Sequence, residues 1–254
     1  MKSWHYATVL IAILVVACAT SPTGRRQLRL VSDSEMAQMG ATAFQEMKTK
    51  TPTTKDTRES SYVQCVARAI TTEVGGTWEI QVFDSKEVNA FALPGGKIGV
   101  YTGLLKVATT QDQLAAVIGH EISHVLAGHS AARVSNQMAA QFGTVLLSAG
   151  TGLSPDLIGT GAQYLVLLPF SRGDESEADI LGMQLMARAG FDPAQAITLW
   201  QNMSKANGQG PPQFMSTHPS NETRIADLQR NLPKEQPHYQ QARAAGKKPN
   251  CGTP

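Results

Sequence analysis

The sequence predicts an α+β fold, mostly helical with one small sheet. Apolar residues recur at helical spacing over most of the chain, as in Met36, Met39, Ala43 and Met47. Between Thr77 and Leu105 the period changes to two, with Trp78, Ile80 and Val82 alternating with polar residues. At 254 residues, 42% of them hydrophobic, the chain is long enough to bury the core of one sizeable domain.

Residues 1–17 carry a single lysine and an apolar run from Ala7 to Ala17, short for a membrane span and laid out like a signal peptide. An uncleaved membrane anchor is the competing reading. Val15-Val16-Ala17-Cys18 resembles a bacterial lipobox, which implies cleavage before Cys18 and a lipid on its sulfur. Ala19 in place of aspartate at the next position implies sorting to the outer membrane. Residues 18–31, with SPTGRRQLRLV, read as a tether. Ser32 and Glu35 have capping-box spacing ahead of a first helix from about Asp33 to Lys48. A loop, TPTTKDTRES, leads to a second helix from Ser60 to Val74. Two or three strands follow, with Lys97–Tyr101 placed after a Pro94-Gly95-Gly96 turn.

Helices are then expected from Gln111 to about Val134, through a glycine-interrupted apolar stretch from Met138 to Leu168, from Glu175 to Ala189 and from Pro193 to about Met203. Interruptions between Gly150 and Gly161 leave each apolar segment too short to span a membrane. Residues 233–254 are polar and read as a loose tail, which leaves 32–232 as the folded domain. The net charge is +2 and no basic run exceeds Arg25-Arg26 or Lys247-Lys248, so nucleic acid is excluded as a partner. With Cys18 lipidated, Cys65 and Cys251 remain and can pair in an oxidising compartment. The alternative is a buried Cys65 on a helix and a thiol in the tail.

The chemistry concentrates in VIGHEISHVLAGHS, Val117 to Ser130. On a helix His120 and His124 lie about 40° apart, so two imidazoles one turn apart can hold one metal ion. Zinc accepts neutral imidazole and keeps a position open for water in catalytic sites. Glu121 sits beside them as a general base for that water, the H-E-x-x-H pattern. His129 projects to the opposite side, about 180° from His120, and reads as structural. Ser130 stands where an H-E-x-x-H-x-x-G-x-x-H site would need a third histidine, which disfavours that class.

LPFSRGDESEAD, Leu168 to Asp179, offers the missing ligand. Glu175 and Asp179 share a helix face, and Glu177 points about 200° away from Glu175. Glu175 is the expected ligand and Asp179 the acceptor that fixes a ligand histidine's tautomer. A solvated acidic first turn is the plain alternative.

Four ordered segments carry a family resemblance: NAFALPGGKIGVYTGLL from Asn89, HEISH, LPFSRGDESEAD, and STHPSNETRIADLQ from Ser216. Together they resemble the HtpX-like and CAAX-prenyl-protease-like zinc metallopeptidases, the gluzincins. The nearest branch is expected to be the periplasmic lipoproteins of the BepA and LoiP kind, with a mitochondrial stress protease more distant. The resemblance implies a mostly helical zincin-like domain, one zinc ion on His120, His124 and Glu175, and Glu121 as base. It implies that Asn89, Ala90, Phe91 and Ala92, with Gly95 and Gly96 at a turn, form an edge strand bordering the cleft that pairs with extended substrate. It also implies that His218 and Arg224 approach the zinc, where either could stabilise an oxyanion or His218 could block the open position. No tetratricopeptide array is expected after Leu232, and no membrane helix after Cys18.

The expected function is a zinc endopeptidase lipid-anchored on the periplasmic face of the outer membrane. Its expected substrates are misfolded or stalled polypeptides, outer-membrane proteins among them. The alternative is a chaperone-like assembly lipoprotein whose zinc is structural or self-inhibited.

Overall fold

The computed structural model describes residues 18–151, 169–206, 213–218 and 223–254. The signal peptide expected at 1–17 and the end of the apolar stretch at 152–168 lie outside the described residues.

Cys18–Thr20 (β1) and Arg26–Leu28 (β2) pair as an antiparallel hairpin rather than running as a tether. Gln27 Nε2 donates to the Ala127 carbonyl at 3.0 Å and the Leu30 N–H to Ser135 Oγ at 2.8 Å, so the hairpin is docked on the domain. Its polar composition hid this, because the acceptors that hold it are far away in sequence. Asp33–Lys50 (α1) begins with both bonds of the Ser32–Glu35 capping box. Thr57–Val74 (α2) starts earlier than its apolar period suggests, because the Asp56 side chain accepts the Arg58 N–H at 2.8 Å.

Glu79–Phe83 (β3), Ala90–Leu93 (β4) and Lys97–Tyr101 (β5) form one sheet in the order β3-β5-β4, with β3 parallel and β4 antiparallel to β5. This leaves β4 at an edge, with Asn89 just ahead of it. Gly95 and Gly96 make the β4–β5 turn at φ 82° and 71°. A Cβ on Gly96 would stand 2.1 Å from the Thr77 carbonyl oxygen, so the turn is wedged in place.

The helix expected from Gln111 to Val134 is two helices, Gln111–Leu126 (α3) and His129–Thr151 (α4). Gly128 separates them at φ 69°, the left-handed conformation that ends helices. Arg172–Arg188 (α5) begins with a second capping box, Ser171 with Asp174. Gln195–Lys205 (α6), Gln213–Thr217 (α7) and Arg224–Ala244 (α8) complete the described elements.

The loose tail expected from Pro233 is corrected. Helix α8 runs through Pro233 and Pro237, with Leu228, Glu235 and Ala242 buried. Beyond it, Lys247 Nζ donates to Glu73 at 2.6 Å, and Cys251 is joined to Cys65 with a Cα separation of 5.5 Å. Interior prolines each remove a helical hydrogen bond, but packing on α5 and this fastening hold the helix together. Among the described residues no helix is long and apolar enough to cross a membrane.

The main core gathers Val66 and Ile70 from α2, Val100 from the sheet, Ile118 from α3, Met186 from α5 and Met203 from α6. A smaller cluster of Phe44, Phe83, Phe91 and Tyr101 fixes α1 to the sheet. Helices α3 and α5 cross backbone to backbone at two glycines. A Cβ on Gly119 would lie 2.8 Å from the Gly182 carbonyl oxygen, and one on Gly182 would lie 2.7 Å from the His120 nitrogen. On an open helix Gly→Ala stabilises by up to about 1 kcal/mol. Here the new methyl meets backbone that cannot rotate away, and overpacking of about 1–3 kcal/mol wins. Gly182→Ala is therefore expected to lower the urea midpoint and weaken zinc binding together; a variant as stable as the parent would show that the crossing has slack.

Candidate metal centre

Helix α3 supplies His120, Glu121 and His124 from a turn that is fully enclosed. The three are 4%, 3% and 1% exposed, so their polar atoms must be satisfied inside the protein. Across the glycine crossing, α5 brings Glu175 to the same point. Its Oε1 lies 3.3 Å from His124 Nε2 and its Oε2 lies 3.5 Å from His120 Nε2. The two Nε2 atoms are 3.1 Å apart.

The other nitrogen of each ring decides what these atoms can be. His120 Nδ1 faces Asp179 Oδ1 at 2.9 Å, which makes it the donor and leaves a lone pair on Nε2. His124 Nδ1 faces His129 Nδ1 at 2.9 Å. The His120 Nε2 lone pair thus faces the Glu175 carboxylate and His124 Nε2, an arrangement that a cation would satisfy. Nitrogens about 3.3 Å apart are what two ~2.0 Å bonds at a tetrahedral angle require, so the donors fit zinc. His218 enters the same cluster. The ligand atoms of His120, His124, Glu175 and His218 all lie within 4.8 Å of one another, the metal-binding group found among the described residues.

His218 Nδ1 is 3.0 Å from Glu175 Oε1, its Nε2 is 3.3 Å from Glu121 Oε1, and Phe214 stacks on its ring at 4.3 Å. Glu121 is steered from the sheet: the Ala92 N–H of edge strand β4 donates to its Oε2 at 3.3 Å. Burial raises the Glu121 carboxyl above its ordinary value. Glu175 goes the other way. Burial opposes its charge, but His218, His124 and His120 around it hold it far below the usual carboxylate range.

Arg224 is close to the site, as expected, but not free to receive an oxyanion. Nη1 donates to Glu175 Oε2 at 2.8 Å, Nη2 to Asp179 Oδ1 at 2.7 Å, and Nε lies 2.6 Å from Asp179 Oδ2. Its guanidinium also stacks on Trp200 at 3.4 Å. That expectation is corrected: Arg224 clamps the two carboxylates of α5.

The structure also corrects His129, and it buries Glu177. The helical projection that sent His129 to the far side stops being valid at Gly128, and the ring turns back onto His124. Glu177 is not solvated; its carboxylate is 1% exposed and 3.2 Å from His129 Nε2. A glycine right after Leu126-Ala127 was the signal in the sequence that could have revealed the break. Phe170, which stacks on the His124 ring at 3.8 Å, carried no signal of its own. Cys18 is exposed on β1, at a distance from this cluster in sequence and outside the disulfide.

Residues 54–232 match peptidase family M48. The mitochondrial metalloendopeptidase OMA1 of Schizosaccharomyces pombe is 42% identical over 161 residues, covering 63% of this chain and 48% of that protein. The mitochondrial metalloendopeptidase OMA1 of Homo sapiens is 32% identical over 231 residues, 83% of this chain and 43% of that protein. The beta-barrel assembly-enhancing protease of Escherichia coli is 26% identical over 225 residues, 82% of this chain and 46% of that protein. The chain spans about half the length of the curated relatives it matches. Among these three the mitochondrial proteins match at higher identity, the reverse of the order expected from the sequence.

The donor geometry gives a direct expectation. His120→Ala, His124→Ala and Glu175→Ala should each abolish stoichiometric zinc by metal analysis, and Asp179→Asn should weaken it by about 10- to 100-fold. Full zinc content in Glu175→Ala would remove that residue from the ligand set.

Proposed function

The chain belongs to peptidase family M48, and on that premise we propose that it is a zinc-dependent endopeptidase acting on unfolded or misassembled polypeptide. The observation that carries this reading is the convergence of His120, His124 and Glu175 with an acidic side chain, Glu121, on the same turn. Zinc bound there would polarise the substrate carbonyl and make a water nucleophilic near neutral pH. Glu121 takes the proton from the attacking water and returns it to the leaving nitrogen. Asp179 holds the His120 ring and Arg224 holds Asp179, so the donors do not have to be ordered during the reaction. Strand β4 presents an edge to a peptide in extended form, which selects for backbone rather than for side chains.

A self-silenced resting form is favoured by one observation, the place of His218 among the donors. With His218 there, the position that water needs is shared with an imidazole. Removing it should raise activity where its departure limits turnover, and lower activity by about 10²-fold where it stabilises the oxyanion.

The cellular reading rests on other ground. Val-Val-Ala-Cys at residues 15–18 supports a lipid anchor on Cys18, and likeness to the beta-barrel assembly-enhancing protease of Escherichia coli supports a link to β-barrel assembly. These favour a lipoprotein of the periplasmic face of the outer membrane engaged in protein quality control. Cys18→Ala should release the protein from membranes; a fraction that still needs detergent points instead to an uncleaved anchor.

Casein cleavage by the purified protein tests the chemistry. Glu121→Gln should lose activity by at least about 10²-fold while keeping its zinc. Equal cleavage by the variant and the parent would sink the enzymatic reading and leave a binding protein with a structural metal.

A further inference from the structure

We infer that His129 and Glu177 form a positioning relay for the metal ligand His124, and that the N-terminal hairpin completes it. The inference rests on the reading of His124 as a ligand.

A histidine that binds metal through Nε2 must carry its proton on Nδ1. For His124 that proton has one place to go, His129 Nδ1 at 2.9 Å, so His129 accepts there. His129 is then neutral with its own proton on Nε2, which donates to Glu177 Oε2 at 3.2 Å. The direction of both bonds is fixed by the first. His120 has its carboxylate in direct contact, Asp179 at 2.9 Å, whereas His124 reaches its carboxylate through a second imidazole. Both ligand rings therefore end on an acid of α5, at positions 177 and 179.

Glu177 is in turn gripped from outside the helix. Thr23 donates to its Oε1 from the backbone N–H at 3.2 Å and from Oγ1 at 2.7 Å, and Arg25 Nη1 donates to its Oε2 at 3.0 Å. These donors sit in the turn between β1 and β2, far in sequence from the ligand they serve. His129 itself is wholly buried, with no solvent to replace either partner. A carboxylate that orients a ligand histidine is worth about 10- to 100-fold in metal affinity. A hairpin that was only packing would not need to address a buried carboxylate with three donors.

The test uses the full protein, with zinc affinity measured by chelator competition and the visible spectrum of the cobalt-substituted form as a second readout. His129→Phe keeps the ring volume and removes both bonds, so it should weaken zinc by about 10- to 100-fold and shift the cobalt bands while circular dichroism stays native. His129→Gln can accept from His124 and donate to Glu177 and should recover most of the loss, which restored packing alone would not do. Glu177→Gln should weaken binding in the same direction, and so should Thr23→Val/Arg25→Ala by a smaller factor. Lys50→Ala, which breaks only an exposed pair with Glu46, should match the parent. Parental affinity and spectrum in folded His129→Phe and Glu177→Gln overturn the relay, and parental affinity in the hairpin double variant overturns the hairpin's part. If His124→Ala retains stoichiometric zinc, it is the ligand reading that has failed.

Discussion

The site depends on two helices touching without side chains between them. Gly119 and Gly182 let α3 and α5 approach until the backbone of one meets the other. A side chain at either position would meet the backbone of the other helix and push the donors of α3 and α5 apart. The crossing lies one residue from His120 and seven from Glu175, so the alignment is set where the donors begin. Because it is backbone contact, there is no rotamer to adjust. Everything polar that surrounds the donors is then built outward from that fixed pair.

Burying this much charge carries a large desolvation penalty, and the arrangement offsets it group by group. Glu175 and Asp179 share Arg224, whose own desolvation is met by three nitrogens on carboxylates and one face on Trp200. Glu177 is matched by Arg25 and Thr23. What is left over is the convergence of imidazole lone pairs with Glu175, and only a cation removes that. At the site itself Glu121, Glu175 and Asp179 face one guanidinium, Arg224, and that excess of negative charge favours a doubly charged ion over water alone.

Much of this was legible in the sequence, and what was missed has a common cause. Local signals announced themselves: the helix start at Ser32 with Glu35, and the H-E-x-x-H turn, need only residues three or four apart. Glu175 and Asp179 could be assigned because a helix face is also a local property. Readings failed where a distant partner decided the outcome. The segment 18–31 looked like a tether because its acceptors, Ala127, Ser135 and Glu177, are invisible from composition. Residues beyond Pro233 looked loose because the packing of α8 on α5 and the crosslink to Cys65 outweigh two prolines. His129 was projected along a helix that Gly128 ends, and Arg224 was given a task near the zinc because a motif shows proximity and not which carboxylates already hold the guanidinium.

Strand β4 links recognition to chemistry in one element. The Ala92 N–H that steers Glu121 belongs to the same edge on which an extended peptide would align. Phe91 and Leu93 turn their backbone groups to β5, so with the Ala92 N–H committed to the base, a substrate strand must bond to Ala90 or to the Ala92 carbonyl. A peptide held there runs past Glu121 with its backbone, not its side chains, as the feature recognised. Folded proteins hold their backbone amides in their own ladders and cannot offer such a strand, whereas unfolded or misassembled chains can. Under the proposed function, selectivity for damaged substrate comes from the strand edge.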